Sequence, residues 1–250
     1  MTLSLPSRLA SRIHQILRRS TLVWAAMTSA AAAVADRPGL PSEGPLSYEM
    51  FGAVGDGVAD DLPAIVETHA FANAHARPVR TKGDATYHLG RRALTAIITT
   101  PTDWNTSHFI VDDRDVENHR KSLFVVRSAL ERVPLRIERL TRDQRQLDVR
   151  PPQDCWVEVE SNRHRVFIRQ GLNQNNGTPQ RDCFILRRDG TIEGDIDWNY
   201  DVITRSEALP IDETPLVIRG GIFTTTANRM AQQQGYNYWA RNLTINRSNT

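Results

Sequence analysis

Cysteine is scarce in this chain of 250 residues, with only Cys155 and Cys183 present. Two thiols exclude a small fold stapled by several disulfides, and the histidines are scattered singly, with no Cys/His spacing that resembles a zinc site. An apolar run long enough to span a membrane is also missing: Thr21 to Val34 falls short of the ~20 residues required. Excess charge of one sign is absent, at 31 Lys and Arg against 29 Asp and Glu. No basic stripe interleaved with aromatics remains to grip a phosphate backbone, which excludes a nucleic-acid partner. Arg132, Arg136, Arg139, Arg142 and Arg145 recur closely, but Glu131, Glu138 and Asp143 interrupt them, as on a solvated surface. Only one long amphipathic helix is predicted, so a doubly wound α/β fold has nothing to build its crossovers with.

What is present begins with a removable segment. Arg8, Arg12, Arg18 and Arg19 precede the alanine-rich run, and Ala33-Val34-Ala35 offers small residues at a cleavage site, so residues 1–35 read as a secretory signal peptide and the mature chain is expected to start at Asp36. Arg18-Arg19 matches a twin-arginine signal only in part, which leaves both export routes open. Export places the protein in the periplasm, on the cell surface or outside the cell, with no membrane attachment after cleavage. The four arginines leave with the signal, so 27 basic residues then face 29 acidic ones. In an oxidising compartment Cys155 and Cys183 could pair, or each could be a buried thiol on its apolar strand.

Residues 36–47 carry Pro38, Gly39, Pro41, Gly44 and Pro45, a linker composition. Residues 48–95 form a cap containing a helix over Asp60 to Ala76. Leu62, Ile65, Val66, His69, Ala72 and Ala76 share one face there, Pro63 sits in the first turn, and Asp60 or Asp61 can cap the start. His69 and His75 read as polar helix residues. From residue 96 to 215 short runs rich in Ile, Val, Phe and Thr alternate with Asp, Asn, Gly and Pro, the mark of a β-rich body. Residues 216–250 are the most regular, with Leu216-Val217-Ile218-Arg219-Gly220-Gly221-Ile222-Phe223-Thr224-Thr225 and Asn242-Leu243-Thr244-Ile245-Asn246 each alternating apolar and polar before a Gly or Asn. Such units stack, at ~20 to 45 residues each, into a shared interior that none could bury alone.

The stretch Tyr48-Glu49-Met50-Phe51-Gly52-Ala53-Val54-Gly55-Asp56-Gly57-Val58-Ala59-Asp60-Asp61 resembles the entry segment of secreted right-handed parallel β-helix proteins of the pectate-lyase superfamily. Three further segments look like the N-terminal half of a group of secreted bacterial β-helix proteins: Asn173-Gln174-Asn175-Asn176-Gly177, Ile211-Asp212-Glu213 and Gly220-Gly221-Ile222-Phe223-Thr224-Thr225. The resemblance covers roughly residues 48–250 and implies a mainly β fold, a right-handed parallel β-helix with an N-terminal capping strand and helix. It also implies a polysaccharide partner, acidic or neutral. Because the regular repeats have only begun when Thr250 is reached, the chain is expected to be the N-terminal portion of a longer protein, with its last strands incomplete.

Asp195-Ile196-Asp197-Trp198-Asn199-Tyr200-Asp201-Val202 is the best local candidate for chemistry. In an extended strand Asp195, Asp197, Asn199 and Asp201 would share one face, and Ile196, Trp198, Tyr200 and Val202 the other. The polar face could be solvated, could carry catalytic carboxylates, or could hold Ca²⁺ through Asp195, Asp197 and Asp201. Asn162-Arg163-His164-Arg165 and Arg169 read as a charged hairpin that could also supply a base for β-elimination. Trp104, Trp198, Tyr236, Tyr238 and Trp239 are available to stack on sugar rings, whereas Trp156 in its hydrophobic strand is expected in the core. The resemblance thus implies an exported polysaccharide lyase or glycoside hydrolase, with a non-catalytic glycan-binding or surface adhesion protein, or an inactive fragment, as the rival.

Overall fold

The computed structural model describes residues 39–166, 177–226 and 241–250. Strands dominate, and most are parallel in one part of the chain and antiparallel in the other. Two compact units result, one formed by residues up to Leu123 together with Ile218–Asn242, the other by Phe124–Val217 with Leu243–Thr250. The expected signal segment, the Asn173–Asn176 run, Arg169, Tyr236, Tyr238 and Trp239 lie outside the described residues.

The first unit opens with a 3₁₀ turn, Tyr48–Phe51, closed by Gly52 in the left-handed conformation (φ 95°). Strand β1, Asp56–Asp60, follows, then helix α1, Leu62–Ala74. The helix is shorter at both ends than the sequence pattern suggests. At its start Asp61 makes no side-chain cap; its buried carboxylate instead accepts from the N–H groups of Val54 at 2.7 Å, Gly55 at 3.3 Å and His88 at 3.3 Å. Asp60 reaches the N–H of Leu62 at 3.3 Å and that of Gly90 at 2.9 Å. At the other end Ala76 turns left-handed (φ 50°) and the N–H of Arg77 bonds the carbonyl of Ala72, a closing geometry that leaves Ala76 outside the helix. Leu62, Ile65, His69 and Ala72 are buried as the spacing requires, and Phe71, off that face, is buried as well, against Phe51 at 5.5 Å between ring centres.

Parallel strands then pair in register. The sequence positions Leu46, Val79, Thr102 and Ile218 pair successively in parallel, through strands β2 (Val79–Arg80), β5 (Thr102–Asp103) and β12 (Ile218–Arg219). A second parallel sheet runs from β1 through β3 (Thr86–Leu89) and β6 (His108–Asp112) to β13 (Ile222–Thr226). A third contact line joins the N–H of Ala96, at the start of β4 (Ala96–Ile98), to Leu123 and the N–H of Leu123 to Asn242. Parallel pairing thus begins at Leu46, far ahead of the regular segment at 216. Because strand side chains alternate, Tyr87, Phe109 and Phe223 line up in one row, 5.2 Å and then 4.7 Å between ring centres, the first two buried and Phe223 partly exposed. Tyr48 stands edge-on to Tyr87 at 5.1 Å. Arg241 is buried with Asp113 at 3.0 Å, its guanidinium also donating to the carbonyls of Leu89 and Gly90.

The second unit contains a twisted antiparallel sheet in the order β10–β9–β8–β11, where β8 is Cys155–Val166, β9 Thr178–Leu186, β10 Ile192–Glu193 and β11 Arg205–Pro210. Its core face, Cys155, Val157, Val159, Phe184, Leu186, Ile192 and Ala208, packs on Leu135, Ile137, Leu140, Leu147, Ile196 and Tyr200. Parallel strands β7 (Phe124–Arg127) and β14 (Leu243–Asn246) complete the unit. Cys155 points into the core, whereas Cys183 stands opposite Glu158 on the other face of the sheet, so the two thiols are free and face away from each other. No helix among the described residues is long and apolar enough to cross a membrane.

Candidate functional site

The segment Asp195–Val202 is not a strand: after β10 the chain runs in loop conformation, with an isolated antiparallel bridge between Tyr200 and Leu140. The left-handed turn at Gly194 (φ 110°) ends the extended geometry that the alternation needs. Ile196 and Tyr200 are buried as expected, but Trp198 is turned outward, 43% exposed. The carboxylates separate accordingly. Asp195 pairs with Arg145 at 3.1 Å on the surface, an interaction worth ~0–1 kcal/mol. Asp201 lines a shallow surface cavity of about 420 Å³ with Arg136, Glu138 and Arg139. Asp197 lies against the sheet. Among the described residues no three carboxylate, imidazole or thiol groups converge as a metal centre needs, so Asp195, Asp197 and Asp201 are not brought together as calcium ligands.

Instead the structure brings Asp197 to a residue that the sequence reading passed over, Asp182. The alternation of β9 places Gln180 and Asp182 on the face that also carries Phe184 and Leu186, so a carboxylate sits at a core position. The N–H of Asp197 donates to Asp182 Oδ2 at 3.2 Å. Burial pushes the Asp182 carboxyl above its ordinary range and the negative charge of Asp197 adds to this, while the Tyr200 hydroxyl and the N–H groups of Asp197 and Trp198 pull the other way. Burial and the Asp182 charge in turn push the Tyr200 phenol up. On the same face Ser161, opposite Gln180, buries a hydroxyl with no hydrogen-bond partner among the described residues, and Gln180 donates to the Asn199 carbonyl at 3.2 Å.

This corner therefore holds a buried acid in a neutral-favouring setting, an exposed carboxylate beside it, a phenol and an outward-facing indole. Two carboxyl groups whose surroundings set them apart are the ingredients of general acid–base work. A carboxylate in the apolar alternation of Gln180-Arg181-Asp182-Cys183-Phe184-Ile185-Leu186 is the signal by which sequence alone could have found it. The hairpin residues Asn162, Arg163, His164 and Arg165 are exposed at the far end of β8, beyond a register shift after Ser161. Trp104 is buried in the first unit, donating to the Tyr48 hydroxyl at 2.7 Å, and so is unavailable to a sugar. Trp156 departs from its expected place in the core: it lies on the outer face of β8 and is 37% exposed. No known family model matches the sequence, and no curated protein matches it.

Proposed function

We propose that this chain is an exported parallel β-helix protein, akin to the pectate-lyase superfamily, that acts on a polysaccharide. The observation that carries the reading is the in-register succession Tyr87–Phe109–Phe223 within parallel strands that recur from turn to turn, the way coils of a solenoid share an interior. Of the two chemistries, hydrolysis accords better with the corner around Asp182. Burial favours the neutral form of the Asp182 carboxyl, the form that gives a proton to a leaving sugar oxygen, and Asp197 serves as the second carboxylate, base or nucleophile, with Trp198 available for stacking. A non-catalytic glycan-binding or adhesion role is the second reading, favoured by the outward indoles of Trp198 and Trp156.

The test incubates the full chain with polygalacturonate, alginate, xylan and β-glucan. New reducing ends without an unsaturated ultraviolet-absorbing product mean hydrolysis, and the unsaturated product means β-elimination. Retention of the chain on a glycan without cleavage favours the binder, and neither binding nor cleavage of any glycan overturns the proposal. Terminal sequencing of secreted protein tests the export claim, for which a start at Asp36 is expected and an intact Met1 is the contrary result.

A further inference from the structure

On the outer face of the antiparallel sheet, at the edge where β8 meets β9 and β11, Trp156, Ile185 and Leu209 stand side by side across the three strands. With Pro210 they wall a cavity of about 420 Å³. Its floor is ionic but already satisfied. Asp212, buried, accepts from Ser128 at 2.9 Å and from Ser248 at 3.2 Å and pairs with Arg247 at 3.2 Å. Arg247 also donates from its two terminal nitrogens to the carbonyls of Thr214, Ser248 and Asn249 at 2.6–2.8 Å. No net charge is left for a ligand, because the one cation among the lining residues is paired with the Asp212 carboxylate and its terminal nitrogens are bonded to that carboxylate and to backbone oxygens. At the rim stands Asn246, exposed, whose carboxamide makes no side-chain hydrogen bond among the described residues.

We infer that this cavity is a binding subsite for an uncharged pyranose ring of a glycan. An apolar indole wall suits the C–H face of a sugar, and a free neutral amide suits its hydroxyls. A uronate would bring a carboxylate into an apolar site with no free cation, at the cost of its desolvation. The inference takes the ligand's class from the polysaccharide reading above. It concerns binding alone, at residues that the hydrolytic corner does not use.

Calorimetric titration of the full chain with oligomers of β-glucan, xylan and galacturonate tests it, alongside Trp156→Ala, Trp156→Phe and Asn246→Asp. The neutral oligomers are expected to bind better than galacturonate. Trp156→Ala should weaken them about 10-fold with an unchanged circular dichroism spectrum, and Trp156→Phe should recover part of the loss. Asn246→Asp should weaken the neutral oligomers too and abolish any residual galacturonate binding. Glycan binding that Trp156→Ala leaves unchanged, or a preference for galacturonate, overturns the subsite and spares the polysaccharide reading. Failure of the wild type to bind any of the three oligomers overturns the subsite, and failure on the long polymers as well overturns both.

Discussion

A chain of buried polar groups in the first unit gives the clearest residue-level consequence. Trp104 donates to the Tyr48 hydroxyl, which is hydrogen-bonded in turn to His69 Nε2 at 2.9 Å. Burial drives the His69 pKa down from 6.5 to about 3. Below 6.5 the unfolded chain takes up a proton at His69 and the folded chain does not, so this contribution to stability is full above that pH. It is lost at ~1.4 kcal/mol per pH unit as the pH falls toward 3. Urea titrations across that range should show the slope, and His69→Phe should flatten it while costing ~1–3 kcal/mol at neutral pH for the Tyr48 hydroxyl left without its imidazole partner. Asp182 behaves in the opposite sense, because its folded pKa is raised: the folded chain holds the proton longer, and stability falls as the pH rises from the ordinary carboxyl range through the folded pKa. Asp182→Asn is therefore expected to melt no lower than wild type at pH 7. His69 was legible from helical spacing as a buried-face position, but its partner Tyr48 and the Trp104 that bonds Tyr48 come from other segments of the chain, and no local pattern announces such a chain of contacts.

At the level of elements, the strongest test falls on turns and loop anchors. Asp61 serves three N–H groups from two separate segments, so Asp61→Ala should cost ~1–3 kcal/mol, more than a lost helix cap alone, and leave glycan turnover per folded molecule intact. Thermal melts paired with activity decide between this and a chemical role, which would show as lost turnover at an unchanged melting temperature. Gly220 holds φ 79°, and a Cβ there would collide with the Asn105 backbone, whereas at Gly52 a Cβ would meet open space. Gly220→Ala should thus cost more than the ~1–3 kcal/mol of left-handed strain that Gly52→Ala also carries. The helix, the strands of the regular segment and the turn glycines were legible because each is set by local periodicity or by φ. The separate antiparallel sheet was not: its strands carry the same Val, Ile and Phe alternation as the parallel ones, and only long-range pairing distinguishes β8–β9 from a further parallel pair. The supposed strand at Asp195 failed for a related reason, since alternation survives in a loop whose alternate residues happen to be buried.

Across the whole molecule, the parallel stack and the antiparallel sheet form two units with separate cores, and their strands differ in how far their side chains are covered. Within the first unit Tyr87 and Phe109 are fully buried, but Phe223 in the last strand of the row is 44% exposed. Hydrogen exchange should accordingly be slow through Phe109–Val111 and faster through Ile222–Thr225 in the monomer; equal protection in both would mean that something further covers β13. The central claim, that Asp182 serves sugar chemistry, is tested most directly by comparing depolymerisation of the glycan panel by the wild type and by Asp182→Asn at matched folded concentration. The account predicts new reducing ends with the wild type and none with the variant, at a melting temperature equal or higher. Undiminished cleavage by Asp182→Asn would contradict it.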